Sequence, residues 1–173
     1  LPTKFYTYRT LNKETIGWIA RYTNPADPKD KQFRQWFVVD RGEGPEFVYN
    51  SNSKKDPKSA MLDYNKHMLY GLEYYDPARP TLFVEGEKAA DAAFRLLPKW
   101  NILTWSHGVK ALRDIDFSFM KGSSAVYWPD NDDAGISSIL DLANALAQHD
   151  VTLKTVFDKI SNLPKKWDLA DDP

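Results

Sequence analysis

The chain has 173 residues, 42% of them hydrophobic and 27% charged, with a formal net charge of −1. That suits one or two soluble domains and argues against holding nucleic acid by bulk positive charge. The absence of cysteine excludes a disulfide framework and any cysteine-based zinc site within these residues. No apolar run approaches the ~18 residues of a membrane span and no basic-then-apolar leader opens the chain, so a reducing, cytoplasmic setting is expected.

Two pattern regimes meet near residue 80. The first is rich in aromatics and short alternating runs: "KFYTYRT", "TIGWIARYT", "RQWFVVD" and "PEFVYN". These read as short antiparallel strands separated by turn-rich stretches such as "TNPADPKDK" and "DRGEGP". "AMLDYNKHMLYGLEYY" reads as a helix or irregular helical turn, and "DPARP" (76–80), with two prolines, as a lead-in. Residues 1–79 carry 13 Lys/Arg against 10 Asp/Glu, whereas 80–173 carry 10 against 14.

The second regime alternates. "TLFVE" (81–85), "NILTW" (101–105), "SSAVYWPD" (123–130) and "TLKTVFD" (152–158) read as strands. Between them "KAADAAFRLLP" (88–98) reads as a helix ended by Pro98. "DAGISSILDLANALAQHD" (133–150) reads as a longer helix, with Ile136, Ile139, Leu140, Leu142, Ala143, Leu146 and Ala147 on one apolar face. Strands alternating with helices imply a parallel sheet. The expected organisation is an N-terminal strand-rich α+β subdomain, 1–79, before an α/β domain, 80–173, whose sheet of about four parallel strands is flanked by helices.

Ligands of such sheets sit beyond the carboxyl ends of the strands, where strand order reverses. Glu85 ends the first strand of this half and Asp130 the third, with Asp132 and Asp133 following at once. A 2-1-3-4 strand order would set Glu85 opposite Asp130 and Asp132, and "WDLADD" (167–172) would close the same edge. Converging carboxylates repel one another, and a hard divalent cation removes the conflict. An all-oxygen donor set without Cys points to Mg²⁺ or Mn²⁺ rather than zinc, and so to phosphoryl or nucleotidyl transfer. Gly86 and Gly135 would allow sharp turns beside these acids. Asp132 and Asp133 are also good helix N-caps, so capping stands beside the metal reading.

At these residues the sequence resembles a known family. "FVEGEKAADA", "WSHGVKAL", "VYWPDNDDAG" and "KKWDLADD" are similar, in order and spacing, to the motifs of the Toprim domain. That domain is shared by DnaG-type primases, topoisomerases, OLD-family nucleases and small recombination proteins. The resemblance covers about residues 80–172. Within the superfamily the chain most resembles primases of bacteriophages and mobile elements. A looser likeness extends through "YRTLNKETIGWIARY", "KQF" and "LYG" over most of the chain.

The resemblance implies a Toprim fold and assigns Glu85 as metal ligand or general acid/base. It makes Asp130 and Asp132 catalytic, metal-binding aspartates and Asp168 a further acid of the metal site. Many such primases carry an acid four residues after the glutamate. Here Ala89 holds that place, with Lys88 before it and Asp91 two residues on, which leaves the number of metals open and makes Lys88 a candidate phosphate contact. His107, in "SHG", reads either as a nucleotide or metal contact or as a backbone-bonded histidine. Trp105, Trp128 and Trp167 read as packing that walls the site.

The implied function is DNA primase: Mg²⁺- or Mn²⁺-dependent synthesis of short primers on single-stranded DNA from nucleoside triphosphates, in phage, plasmid or mobile-element replication. A replicative helicase domain or protein is an expected partner. Candidates for template phosphates are Arg21, Lys31, Arg34 and Lys66, with Tyr22, Trp36 or Tyr64 as stacking surfaces. The alternatives are a Toprim nuclease using the same acids and a non-catalytic nucleic-acid-binding domain. A start at "LP" and an end at "DLADDP" lead us to expect a piece of a longer protein, with any zinc module outside it.

Overall fold

The computed structural model describes residues 1–40, 44–49, 68–106, 108–165 and 167–171. His107, Lys66 and Tyr64 lie outside these residues, as does most of the helix expected from residue 60 onward.

Four strands, β1 (Lys4–Arg9), β2 (Thr15–Asn24), β3 (Asp27–Asp40) and β4 (Pro45–Tyr49), form an antiparallel meander in the order β1-β2-β3-β4. Strand periodicity sends alternate residues to opposite faces. Tyr6, Tyr8, Ile19 and Phe37 therefore share one face, and Ile16, at the register shift opposite Tyr8 and Arg9, joins them in one buried cluster with Met68. Trp18 sits directly opposite Trp36 on the other face, where with Phe5 and Thr7 they line a shallow hollow of about 390 Å³. "TNPADPKDK", read as a turn-rich stretch, turns only near Pro25–Ala26, and β3 begins at Asp27.

The second sheet has the order β5-β7-β6-β8-β9, from β5 (Leu69–Tyr70), β6 (Thr81–Val84), β7 (Asn101–Trp105), β8 (Ser124–Trp128) and β9 (Thr152–Thr155). β7, β6, β8 and β9 run parallel, in the anticipated 2-1-3-4 arrangement. β5 adds an antiparallel edge, with Leu69 opposite Trp105. It lies within the stretch expected to be helical. After it, Gly71 leads into a single 3₁₀ turn, Leu72–Tyr74, so the described part of that stretch forms no α-helix.

The central strands β6 and β7 are buried at every position, as expected where helices cover both faces. α1 (Gly86–Leu96) covers one face: its alanines 89, 90 and 93 pack on Leu82, Val84 and Ile102. Alanine favours helix and has no bulk, so α1 lies close to the sheet. α1 ends just before Pro98, as anticipated. α2 (Asp133–Ala147) covers the other face, where Leu142, Ala145 and Leu146 meet Phe83, Leu103 and Tyr127. Fully burying each large apolar side chain stabilises the fold by about 1.5–3 kcal/mol. The apolar face expected for α2 is corrected here. Its sheet-facing side carries Gly135, Ser138, Leu142, Ala145 and Leu146, while Ile136 and Leu140 are exposed. β9 is shorter than expected and gives way to a helical turn, α3 (Phe157–Ile160). Among the described residues no helix is long and apolar enough to cross a membrane.

α1 also joins the two sheets. The Tyr8 hydroxyl donates to Glu87 at 2.6 Å and the Tyr70 hydroxyl to Asp91 at 2.7 Å, while Lys4 pairs with Asp91. Glu87 and Asp91 are four residues apart on the helix, so one face of α1 presents both carboxylates to β1 and β5.

Candidate active site

β6 and β8 are parallel neighbours, with Val84 beside Trp128. The residues that follow, Glu85 and Asp130, therefore emerge side by side at the carboxyl edge. The backbone N–H of Asp130 donates to Glu85 Oε1 at 3.1 Å. The same oxygen lies 2.7 Å from the Tyr127 hydroxyl and 3.4 Å from Ser138 Oγ. Burial, then the charge of Glu85, raises the Tyr127 pKa well above its ordinary value, so the phenol keeps its proton and donates it to Glu85. The phenol and the Asp130 N–H converge on one oxygen of Glu85 and orient its carboxylate, while the Ser138 hydroxyl lies 2.6 Å from both the Gly135 carbonyl and the Tyr127 hydroxyl.

Glycines set the shape of this corner. Gly86 takes a left-handed conformation, φ 76°, at the strand-to-helix turn, and its N–H donates to Thr104 Oγ1 at 2.9 Å. Gly135 was expected to serve a similar turn but serves a close approach instead. A Cβ there would strike the carbonyl of Asp130 and come within 2.7 Å of Glu85 Oε1. The first turn of α2 presses on the acids because this residue has no side chain.

Asp132 is the N-cap of α2, its Oδ1 accepting from the Gly135 N–H at 3.0 Å. The capping role is thus filled by Asp132, and Asp133 lies in the first turn, where its charge suits the helix dipole. Asp130 is half-buried, and its pKa is pushed up to about 7. Burial contributes most, followed by the charges of Glu85, Asp168, Asp132 and Asp171. The sequence-predicted acids Glu85, Asp130, Asp132 and Asp168 therefore share one edge, with Asp130 at the centre of their field.

The C-terminal segment is tied to that edge. Asn131 donates its backbone N–H to the Trp167 carbonyl at 3.2 Å and its side-chain amide to the Leu163 carbonyl at 2.7 Å. The rings of Trp128 and Trp167 lie 5.9 Å apart. Lys88, on the first turn of α1, pairs with Asp168 at 3.3 Å and Asp171 at 3.1 Å. Burial works to lower its pKa, but these carboxylates outweigh burial and raise it. Asp91 faces away, toward Tyr70 and Lys4, and does not join the acid group.

Arg21, Lys31 and Arg34 lie on β2 and β3, one and two strands beyond β1, which is the strand that meets α1. Arg34 sits over the Tyr22 ring at 5.0 Å. Arg21 buries an Nε that has no hydrogen-bond partner among the described residues. Tyr127, Ser138, Asn131 and Asp171 shape the site without having been singled out from sequence. Asp171 carried a signal inside "WDLADD" and Asn131 inside "VYWPDNDDAG"; a tyrosine in strand alternation reads as core.

No protein-family model matches the chain, and no curated protein matches it by sequence. Solved structures that share its fold include two primase fragments. The primase fragment of the bacteriophage T7 primase-helicase protein superposes with a TM-score of 0.52 at 14% identity, over 96% of this chain and 56% of that one. The zinc-binding and RNA polymerase domains of the Aquifex aeolicus primase superpose with a TM-score of 0.50 at 17% identity, over 95% of this chain and 35% of that one. The chain has a primase-like fold. It spans about half the length of the first of these structures and about a third of the second.

The donor set fits a hard cation. Among the described residues no three acidic or histidine side chains close into a metal cage. Mg²⁺ does not need one, because it is held by one or two carboxylates, keeps several waters and shares positions with substrate phosphates. An open edge of carboxylate oxygens, crowded enough to hold a proton on Asp130 near pH 7, has the chemistry of such a site.

Proposed function

We propose that the chain is the catalytic part of a DNA primase of the Toprim type, joining nucleotides on a single-stranded DNA template. The observation that carries this reading is Glu85 set beside Asp130 at the carboxyl ends of neighbouring parallel strands, with Asp132 and Asp168 in the same field. In this reading residues 80–173 form the Toprim domain and 1–79 a template-facing subdomain. The bacteriophage T7 neighbour is a fragment of a primase-helicase, which supports phage, plasmid or mobile-element replication as the setting and a helicase domain or protein as partner.

Glu85, Asp130 and Asp132 would hold Mg²⁺ or Mn²⁺. When bound there, the ion would supply charge neutralisation for nucleotidyl transfer. The chain's own residues do the rest. Tyr127 and the Asp130 N–H keep one oxygen of Glu85 occupied, which leaves its other oxygen for the ion. Asp132 spends one oxygen on the α2 cap, which fixes its side chain while its charge stays at the edge. Arg34 and Lys31, with Tyr22 and Trp36, offer phosphate contacts and stacking surfaces on the antiparallel sheet.

The test mixes the protein with single-stranded DNA, labelled nucleoside triphosphates and Mg²⁺ or Mn²⁺, beside Glu85→Gln and Asp130→Asn. Short labelled oligomers that both variants abolish are expected. Metal-dependent shortening of the DNA, lost in the same variants, would assign the site to a nuclease. Metal-independent synthesis would remove the acids from the mechanism.

A further inference from the structure

Lys88 stands where a cation is locally unwelcome. It is the third residue of α1, at the positive end of the helix dipole, where acids such as its neighbour Glu87 are favoured. Its partners explain the placement. The ammonium lies 3.3 Å from Asp168 Oδ2 and 3.1 Å from Asp171 Oδ1. The two remaining oxygens of that pair accept from backbone. The Ala170 N–H donates to Asp168 Oδ1 at 2.7 Å, and the Asp168 N–H donates to Asp171 Oδ2 at 3.1 Å. Each of the four carboxylate oxygens therefore has a donor. Leu169, between the two acids, is buried with Ala89, Ala90 and Ile102, which holds the segment against α1. Ala89 is itself buried and brings no carboxylate, and Glu87 and Asp91 turn to Tyr8 and Tyr70, so α1 adds no acid to the Asp168–Asp171 pair.

We propose that Lys88 is the resident counter-ion of this edge: its ammonium occupies Asp168 and Asp171 in place of a second divalent cation, leaving Glu85, Asp130 and Asp132 to bind a single ion. The proposal rests on the metal reading given above. A tethered monovalent cation neutralises part of the acid field at all times and holds the C-terminal segment in register, whereas a second metal would have to be captured in each catalytic cycle. Lys88 acts here through the carboxylates and is a positioning residue.

The test is titration of the whole chain with Mn²⁺ alone, followed by electron paramagnetic resonance and calorimetry, without nucleotide. Wild type is expected to take up about one ion and Lys88→Gln about two, because the freed oxygens of Asp168 and Asp171 suit a hard cation. Lys88→Arg should restore about one, and Asp168→Asn added to Lys88→Gln should remove the second. Lys88 is half-exposed and exposed ion pairs add little stability, so Lys88→Gln should melt with wild type. Two ions in wild type, or an unchanged count in Lys88→Gln, would overturn the counter-ion role and leave the metal site standing. An unchanged count, with weakened binding in a second calorimetric titration by nucleoside triphosphate, would make Lys88 a phosphate contact instead. No Mn²⁺ uptake by wild type, with Asp130→Asn indistinguishable from it, would bring down the metal reading and this inference with it.

Discussion

The molecule holds two groups of acids within a few turns of each other, and they are treated in opposite ways. On the side of α1 that faces the antiparallel sheet, Glu87 and Asp91 are each met by a tyrosine hydroxyl, and Asp91 also by Lys4. At the carboxyl edge of the parallel sheet, Asp130 is met by the charges of Glu85, Asp132, Asp168 and Asp171. The first group joins two sheets. The second stores repulsion, which only a proton or a cation relieves. Carboxylate count alone does not separate a structural acid from a chemical one; the donors around it do.

The largest effect expected from this contrast lies in chemistry. Asp130→Asn should lower metal-dependent nucleotide joining by ~10³-fold or more, the several kcal/mol that a metal supplies to charge development. The same change should leave the fold intact, because it removes a like charge from a crowded edge. A rate assay and a urea melt on one preparation check both halves. A large loss of stability would mean that Asp130 is structural after all.

Next comes the opposite case. Tyr8 is fully buried and its hydroxyl serves Glu87. Tyr8→Phe should cost about 1.5–3 kcal/mol in urea unfolding, the range for a hydrogen bond to a charged group. Activity per folded molecule should change little. A loss of activity larger than the loss of folded protein would show that the junction also tunes the edge.

A smaller effect separates the groups by pH. The folded-state pKa of Asp130 is raised to about 7, so the folded chain binds its proton more tightly than the unfolded chain does. The stability from this group is fully present below the unfolded value near 4 and is lost as pH rises toward and past 7. In chelator, stability should therefore fall over that window, by roughly 1–2 kcal/mol once partial exposure is discounted. Asp130→Asn should flatten the fall, and Mg²⁺ should reverse it at pH 8. Denaturant midpoints across pH 4–8 read out all three.

Much of the site was legible because strand ends are legible. "TLFVE" and "VYWPD" place their last acids at a sheet edge from periodicity alone, and the 2-1-3-4 order then makes them neighbours. What failed follows from the reach of local pattern. The apolar residues of α2 were grouped by composition, yet Ser138 and Gly135 face the sheet because Glu85 and Asp130 occupy the space there. Leu140, 71% exposed, was placed in the core for the same reason. Leu69–Tyr70 sits in an apolar run that fits a helix equally well, and only its partner Trp105, 36 residues on, makes it a strand. Tyr127 gave no sign of serving Glu85, since its hydroxyl finds that acid through the pairing of two strands.

The smallest stability effect makes the finest cut, at Asp132, which belongs to both kinds of acid at once. One oxygen caps α2 through the Gly135 N–H, and its charge adds to the field on Asp130. Asparagine caps as well as aspartate, so Asp132→Asn should change stability by no more than a few tenths of a kcal/mol, whereas Asp132→Ala should cost about 1 kcal/mol. Both remove the charge, so both should weaken Mn²⁺ binding and nucleotide joining alike. Thermal melts of the two variants beside a Mn²⁺ titration separate the roles. If Asp132→Asn kept full metal affinity while only Asp132→Ala lost stability, Asp132 would be a cap and nothing more, and the cation would rest on Glu85 and Asp130. If both variants lost affinity and only the alanine lost stability, one carboxylate would be holding the helix with one oxygen and the ion with the other. That arrangement would tie the start of α2 to the occupancy of the site.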